Sequence, residues 1–427
     1  MRYIADLHIH SKYSRACSKD LDLEHINQWC KIKGIGIVAC ADWTHPQWLK
    51  ELKSKLVEVR PGLYKLNPSL PPLENWRNDE DSVFFMLNTE ISCIYKQGGR
   101  CRRIHLCLMV PDFETVDKII AEFDKRKINL RSDGRPIMGL SAIEVVKIVM
   151  AANPKSMVIP AHAWTPWFAV FGSYSGFDSL AECFGDQTKN IFAIETGLSS
   201  DPAMNWRLKA LDKITLISNS DAHSPANLGR EANVFEIDED KLSFEEIRKI
   251  LKTKDKKRFL YTIEFFPEEG KYHWDGHEKC KVQLPPKQTK KIKGICPVCK
   301  KSLTIGVLSR VDDLADRPEN EKPDMIGFKS LVPLAEIIAE TLEQGKNTKK
   351  VRAIYDSMIE KGGTEFGILL DLPIAEIEKI SNQEIALAIK NIRDGKVQIS
   401  PGYDGVYGVV KALTDVDRKK AVQKKLL

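Results

Sequence analysis

The sequence predicts an α/β protein in which a barrel of strands and helices is followed by a small cysteine-containing module and a helical domain. Three observations predict this organisation. Short apolar segments alternate with helical segments up to about residue 260, a Lys- and Pro-rich stretch with clustered cysteines follows, and the remainder has helical periodicity. We therefore divide the chain into residues 1–260, 261–315 and 316–427.

Composition agrees with a folded chain of two or three domains. With 427 residues, 43% hydrophobic and 29% charged, the chain has the composition of a globular protein and not of a disordered one. The 65 basic and 59 acidic residues leave a net charge of +6, which by itself does not indicate nucleic acid. Because the N-terminus lacks a signal-peptide pattern and no apolar run is long enough to span a membrane, we expect a cytoplasmic protein with reduced cysteines and no membrane partner.

Seven apolar segments in the first region are predicted strands, and each is followed within a few residues by His, Asp or Glu. They cover residues 3–8, 35–41, 83–90, 104–109, 157–161, 191–194 and 215–217. In a barrel of β/α units the carboxyl ends of the strands meet at one mouth, so residues distant in sequence form a single site.

The polar residues at these strand ends predict a metal centre. In the segment 6–10 (DLHIH), His8 and His10 project to the same side because alternate residues of a strand do so. A single histidine at a strand end is more often structural, but six of the nine histidines recur in this position. The predicted ligands are His8, His10, Glu90, His105, His162, Asp221 and His223, which we also predict to be catalytic, with Asp42 and His45 completing or buttressing the site.

Mixed histidine and carboxylate ligands favour zinc, manganese or iron, and a carboxylate such as Glu90 can bridge two ions. Two ions held in this way suit the cleavage of phosphate esters, because they activate water and neutralise the charge of the phosphate. We therefore predict zinc here, with Mg²⁺ or Mn²⁺ as the alternative.

The second region contains a zinc-ribbon pattern. His277 and Cys280 are separated from Cys296 and Cys299 by fifteen residues, and each pair has two residues between its members. The segment has too few apolar residues to fold without such a staple, so we predict a structural zinc ion. His273 is the alternative fourth ligand.

Three further features predict contact with a nucleic acid. Eight lysines and no acidic residue lie between Lys279 and Lys301, and among them Lys290, Lys291 and Lys293 are predicted to bind phosphate, the alternative being a solvated face. The polar segment 129–136 supplies Arg131 and Arg135. Trp164 and Trp167 follow His162 and either stack on bases or belong to the hydrophobic core.

The C-terminal region has the apolar spacing of amphipathic helices from residue 331 onward. Near its end, Gln423 and Leu426 have the spacing of part of a sliding-clamp peptide but lack the aromatic pair. A clamp partner is thus only weakly supported.

The first region resembles the polymerase and histidinol phosphatase (PHP) superfamily. The motifs DLHIHS, ADWTH, TEIS, PAHA and SDAHS occur in its order. The resemblance implies a distorted (β/α)7 barrel with up to three metal ions, although Ser14 and Arg15 stand where many members carry a further ligand.

Over its full length the chain resembles the endonuclease Q family, on the segments NLRSDGRP, HAWTPWF, EEGKYHWDGH, LSRVDDLADRP and PGYDGVYG. The resemblance implies a DNA repair endonuclease of archaea or bacteria, located with the nucleoid. It implies recognition of deaminated bases (hypoxanthine, xanthine, uracil) and abasic sites in double- or single-stranded DNA. The bond 5′ to the lesion is then hydrolysed by metal-activated water, after the base has been extruded from the duplex.

Two other functions are compatible with parts of the sequence. A small-molecule phosphoesterase of the histidinol phosphatase type needs only the barrel and leaves the zinc module and the helical domain without a role. A DNA-binding scaffold without catalysis would be expected to have lost ligands, whereas the ligand set here is almost complete.

Overall fold

The structure is a computed structural model that describes residues 1–70, 83–414 and 417. Its strands are β1 Arg2–Asp6, β2 Ile37–Ala39, β3 Leu56–Arg60, β4 Leu63–Leu66, β5 Phe84–Met86, β6 Asn88–Gln97, β7 Arg100–Met109, β8 Ile137–Met138, β9 Met157–Pro160, β10 Ala193–Glu195, β11 Thr215–Ile217, β12 Ala232–Glu236, β13 Phe259–Glu264, β14 Asp275–His277, β15 Val282–Leu284, β16 Gly327–Ser330, β17 Gln398–Ser400 and β18 Val409–Lys411.

The helices begin after β1 and dominate the C-terminal region. They are α1 Leu23–Lys33, α2 Pro46–Lys55, α3 Phe113–Lys125, α4 Ala142–Ala152, α5 Leu180–Phe184, α6 Pro202–Asn205, α7 Phe244–Thr253, α8 Pro286–Lys291, α9 Val307–Leu314, α10 Leu334–Leu342, α11 Lys349–Gly362, α12 Ile374–Ile380 and α13 Gln383–Arg393.

Local sequence explains where these helices start and which face they bury. In α1, Leu23, Ile26 and Cys30 recur at helical spacing and are fully buried. The helix begins where the side chain of Asp22 accepts a hydrogen bond from the backbone N–H of His25. It ends at Gly34, whose φ of 84° favours glycine.

The strands of the first region belong to three sheets. One has the order β16-β13-β12-β1-β2-β5-β4-β3, the second β8-β6-β7-β9, and the third β10-β11. Backbone hydrogen bonds link successive sheets: Val110 N to Leu87 O at 3.0 Å, Ala163 N to Glu195 O at 2.9 Å, and Asp221 N to the carbonyl of His8 at 3.0 Å. The second and third of these bonds lie at or just beyond the carboxyl ends of β1, β9, β10 and β11, so the segments that follow these four strands meet at one mouth.

The α/β class is confirmed, and each of the seven predicted strand segments overlaps an observed strand. The segment 83–90 differs from the prediction because it is divided between β5 and the start of β6. Strand β7 is antiparallel to both β6 and β9. His105 lies within β7 and not after its end. The described strands do not form one continuous closed sheet.

Later parts of the chain join this first region. The predicted boundary at residue 260 falls inside β13, which pairs with β12 and with β16. Helices α10–α13 follow β16. In the described part of the chain, no helix is both long and apolar enough to cross a membrane. Gln423 and Leu426, the residues of the weak clamp prediction, lie outside the described residues.

Candidate metal centre

Four side chains converge at the mouth. His8, His10, Glu90 and Asp221 each offer one ligand atom, and these atoms lie within 4.8 Å of one another. Nε2 of His10 is 2.9 Å from Oδ1 of Asp221 and 3.3 Å from Oε2 of Glu90. Nε2 of His8 is 3.7 Å from the same Glu90 oxygen. The group is compact enough to hold one ion.

A second group shares Glu90 with the first. Oε1 of Glu90 lies 2.8 Å from Nδ1 of His105 and 3.1 Å from Nε2 of His162. The two oxygens of Glu90 therefore face different sets of histidines. This is the arrangement of a carboxylate that bridges two ions.

The donor set fits bound cations. His8 and His10 are fully buried, yet their Nε2 atoms have no hydrogen-bond partner of acceptable geometry among the described residues, and the same holds for Oδ1 of Asp221. Buried polar atoms without partners are costly, and here all three point to the same place. Imidazole nitrogens and carboxylate oxygens are ligands of zinc, manganese and iron.

The electrostatics agree with this fit. Burial would raise the pKa of Glu90, but His105, Arg135 and His8 hold it well below its usual value. Burial would likewise lower the pKa of His8, but Cys107, Glu195 and Glu90 raise it well above the ordinary histidine value. The carboxylates thus create a strongly negative potential that attracts cations.

Further side chains hold the ligands in orientation. Both carboxylate oxygens of Glu195 lie within 3.1 Å of Nδ1 of His8, and one of them accepts the backbone N–H of His162 at 2.8 Å. The carboxylate of Asp42 lies beside the ring of His10, with its Oδ1 at 3.3 Å from Nδ1. Such partners fix the ring and its tautomer so that the other nitrogen faces the ion.

The backbone is strained at the same places. Asp42, His162 and Asp221 have φ values of 38°, 30° and 47°, in the left-handed region that favours glycine. Non-glycine residues persist there only when their surroundings enforce it, and such residues cluster at functional sites.

The remaining predicted ligands lie beside these groups. The ring of His223 is 4.7 Å from that of His10, and its Nδ1 is 2.8 Å from the backbone oxygen of Asp221 and 3.8 Å from Oδ1 of that residue. His45 stacks on Tyr13 at 4.4 Å and joins neither group. Ser14 donates its hydroxyl to Oδ2 of Asp42 at 2.8 Å.

The segment 129–136 folds over the mouth. Nη1 of Arg135 donates to Oε2 of Glu90 at 3.0 Å, and its side chain is one quarter exposed. Arg131 is exposed on the same segment. Gly134 allows this approach, since a Cβ there would lie 2.3 Å from Oδ2 of Asp42.

The two tryptophans predicted to contact DNA differ in position. Trp164 is fully buried and donates its indole N–H to Asn205 at 2.7 Å. The prediction that Trp164 contacts DNA is wrong, because its ring is fully buried and belongs to the core. Trp167 is 38% exposed and stacks on Tyr174 at 4.7 Å. Its contact with DNA stays a prediction.

A separate group in the second region joins His277, Cys280, Cys296 and Cys299, whose ligand atoms lie within 4.8 Å of one another. The turn that carries the last two closes with Cys296 N bonded to Lys301 O at 2.8 Å. His273 is buried elsewhere and is not part of this group. The four donors match a tetrahedral zinc site.

The three selected lysines of this module differ in their surroundings. Lys290 lies 2.6 Å from Asp312 and 3.2 Å from Asp313, both in α9. No ion pair involving Lys291 or Lys293 is found among the described residues, and both are exposed. The charge of Lys290 is therefore partly neutralised within the protein.

Sequence reasoning missed the supporting residues Glu195 and Asn219. Glu195 belongs to the strand-end pattern, but only the fold shows that it contacts His8 and His162. Asn219 donates to Glu195 at 2.8 Å. Its place directly before the SDAHS motif is the one signal for it in the sequence.

Residues 333–396 match a family model described as the MJ0043 C-terminal domain. The chain is 35% identical over 256 residues to the uncharacterised protein MJ0043 of Methanocaldococcus jannaschii. The aligned region covers 58% of this chain but only 31% of that relative. It is 26% identical over 419 residues to the uncharacterised protein YqxK of Bacillus subtilis, covering 95% of this chain and 98% of YqxK.

The lesion-specific endonuclease PfuEndoQ from Pyrococcus furiosus has a crystal structure that matches with a TM-score of 0.83 and 33% identity, over 96% of this chain and 95% of that one. The chain belongs to the endonuclease Q family. A second endonuclease Q structure, a complex with a 27-mer duplex substrate that has an abasic lesion at the active site, matches with a TM-score of 0.83, 32% identity and 98% coverage of both chains. The family resemblance of the sequence is thereby confirmed.

Proposed function

We propose that this chain is a metal-dependent DNA repair endonuclease that cuts the phosphodiester bond 5′ to deaminated bases and abasic sites. The observation that carries the proposal is the pair of buried ligand groups joined by Glu90, in a chain that matches endonuclease Q structures over nearly its whole length. An endonuclease Q holding an abasic duplex at its active site supports DNA as the substrate.

The catalytic ligands in this proposal are His8, His10, Glu90, His105, His162 and Asp221, with His223 beside them. Metal ions bound there lower the pKa of water toward 7 and neutralise phosphate charge. Zinc suits this donor set, and Mg²⁺ or Mn²⁺ is the alternative. For the separate site formed by three cysteines and His277, we propose structural zinc.

Arg135 is proposed to bind the scissile phosphate. One of its N–H groups is bonded to Glu90, and its guanidinium presents further donors in a fixed plane toward the mouth. Because its side chain is only a quarter exposed, its hydrogen bonds to a phosphate are little weakened by water. Arg131, exposed on the same segment, is proposed to contact the neighbouring backbone.

Lesion recognition in this proposal depends on extrusion. A deaminated base pairs poorly and an abasic site has no base to stack, so opening the duplex there costs less than at a normal pair. Trp167, exposed on the loop that follows His162, is proposed to stack on a base at the opened position.

The proposal also includes the type of barrel and the location of the protein in the cell. We infer that the three linked sheets are the interrupted wall of a distorted (β/α)7 barrel. Support comes from the backbone hydrogen bonds that join each sheet to the next. Location in the cytoplasm, with the nucleoid, is proposed because the substrate is the DNA of the cell.

End-labelled duplexes that each carry one uracil, hypoxanthine, xanthine or abasic site test the function. We expect a single cut on the 5′ side of each lesion and none in the intact duplex. In Asp221→Ala, cleavage is expected to be lost while lesion binding remains, because the proposed DNA contacts of Arg131, Trp167 and the lysines lie outside the metal groups. Hydrolysis of histidinol phosphate without any cut in the lesion duplexes would overturn the proposal.

A further inference from the structure

Exposed aromatic side chains are concentrated on one face of the molecule. Among the residues that the structure describes, three aromatic side chains are classed as exposed: Trp167 at 38%, Tyr174 at 53% and Tyr407 at 69%. They come from two distant parts of the sequence, the loop after His162 and the loop between β17 and β18. Exposed apolar side chains that form one patch rimmed by polar residues often mark a binding site.

Tyr272 connects the two parts. The ring of Trp167 lies 4.7 Å from that of Tyr174 at an interplanar angle of 6°, and 5.6 Å from the ring of Tyr272 at 78°. The neighbouring residue, Lys271, places Nζ 4.5 Å from the centre of the Tyr407 ring. We call Trp167, Tyr174, Tyr272 and Tyr407 the aromatic face.

The loop that carries Tyr407 is held firmly against this region. Gly402 N donates to Glu268 O at 2.7 Å, Gly405 N to Lys271 O at 3.0 Å, and Gly408 N to Glu269 O at 3.1 Å. A Cβ on Gly408 would lie 2.0 Å from the carbonyl oxygen of Glu268, so only glycine permits so close an approach. The exposed ring of Tyr407 is thus presented on an ordered support.

The aromatic face borders the candidate metal centre. Thr165 links them: its Oγ1 lies 3.1 Å from Nδ1 of His162 and donates to the carbonyl of Trp167 at 2.9 Å. Phe168, next along the chain, accepts the backbone N–H of His105 at 3.0 Å. A strand whose phosphate lies at the metal groups therefore has nearby bases within reach of these rings.

We propose that the aromatic face binds nucleobases left unpaired beside the cleavage site, with Tyr407 stacking on a base and Lys271 facing the phosphate next to it. The proposal rests on the function proposed above and adds Tyr174, Tyr272, Tyr407 and Lys271 to the DNA-binding surface. Aromatic rings stack on any base, because every base has a π-face, whereas intact duplex keeps its bases inside. The face therefore favours opened DNA.

Charge favours DNA over a protein partner at this face. Lys271 adjoins Tyr407, and the module that follows carries eight lysines between Lys279 and Lys301 without an acidic residue. The nearby acid Asp404 is engaged internally, since its carboxylate accepts the Thr304 hydroxyl at 2.5 Å and the backbone N–H of Glu278 at 2.6 Å. Lys271 and the lysines of the module thus supply positive charge beside the rings, which suits the phosphates of DNA.

A stacking probe tests the proposal directly. In an Asp221→Ala background, which prevents cleavage, 2-aminopurine is placed opposite the lesion and, in separate duplexes, at each flanking position of both strands. Binding of the full chain is expected to quench the fluorescence at one or more positions. Adding Tyr407→Ala or Tyr174→Ala should relieve the quenching and weaken binding roughly five- to hundredfold, without changing the salt slope.

Matched variants separate stacking from other causes. Tyr407→Phe keeps the ring and should behave as the parent, and Val59→Ala, at an exposed position of β3, should have no effect. Unchanged quenching in both alanine variants would overturn the proposal. It would also be overturned if the variants changed self-association, measured by sedimentation, and left DNA binding unchanged. If the protein with Asp221 intact cuts no lesion duplex, the proposed endonuclease function is wrong. The fluorescence of 2-aminopurine still tests stacking, because that measurement does not depend on cleavage.

Discussion

Glu90 sets the electrostatics of the candidate site more than any other single residue. It is 1% exposed, and its two oxygens face separate pairs of histidines. Removing its charge would leave several buried histidines and Arg135 without their partner, so its effect is not confined to one metal position. A residue shared in this way couples the two ligand groups.

Gly134 is the residue whose substitution tests how closely the segment 129–136 must approach the site. A methyl group there would lie 2.3 Å from Oδ2 of Asp42 and 2.4 Å from Oγ of Ser14. Because Asp42 orients His10, we expect Gly134→Ala to lower kcat/KM for lesion cleavage roughly ten- to hundredfold and to reduce bound metal. Steady-state kinetics and metal analysis measure both effects.

Gly139→Ala is the matched control. No atom lies within 4 Å of a Cβ built at Gly139, so this variant should keep its activity and metal. Equal behaviour of the two variants would show that the segment does not need its close approach to Asp42.

At the scale of elements, the zinc module depends on its four ligands more than on packing. Its strands β14 and β15 are three residues each, and few of the residues from 278 to 301 are buried. So small a core cannot offset the loss of chain entropy, and metal binding then supplies the folding free energy.

We therefore expect Cys296→Ser to remove one equivalent of zinc and to weaken DNA binding, since the lysines lose their support. Zinc content, thermal unfolding and affinity are measured together. Cys101→Ser, at an exposed cysteine in β7, serves as the control and should change none of them. Loss of the chemical step alone, with zinc and affinity retained, would contradict a structural role.

The lysines of the same module predict a graded salt dependence. Each phosphate contact that is lost should flatten the plot of log affinity against log salt by about 0.9 on duplex DNA. Lys291→Ala and Lys293→Ala are expected to approach this value for lesion and intact duplexes alike. Lys290→Ala should change it less, because Asp312 lies 2.6 Å away. Equal slopes in all variants would show that the lysines are only solvated.

At the scale of the whole molecule, a buried ion pair joins the first region to the C-terminal helices. Nζ of Lys33, at the end of α1, lies 3.0 Å from Oε2 of Glu365, and their side chains are 5% and 6% exposed. Glu365 also accepts the hydroxyl of Tyr355 at 2.7 Å and the backbone N–H of Leu334 at 3.0 Å. One carboxylate thus connects α1, α10 and α11.

Glu365→Ala would leave the charge of Lys33 buried without a partner, so we expect a loss of about 3–5 kcal/mol in unfolding free energy. Denaturant unfolding of the full chain measures it. The control is Arg2→Ala, which breaks a surface pair with Asp371 whose side chains are 42% and 45% exposed, and it should cost only about 0–1 kcal/mol. Similar losses in the two variants would show that Glu365 does not hold the regions together.

The sequence by itself determined the α/β class, the family, and most of the residues that meet at the mouth. The class and the site residues follow from local patterns, namely apolar segments of strand length, polar residues at their ends, and paired cysteines at fixed spacing. The family follows from the resemblance of whole motifs. His8, His10 and Cys296 could be selected because their own neighbours carry the signal.

Only the tertiary structure decided which residues support the ligands and which surfaces remain exposed. Trp164 and Trp167 lie three residues apart in one motif, yet one is buried and the other exposed. Glu195 becomes the partner of His8 although 187 positions separate them in the chain, and Tyr407 approaches Lys271 because a loop returns over a distance of 136 positions. Contacts between distant segments depend on how elements pack, and no local pattern of residues records that packing.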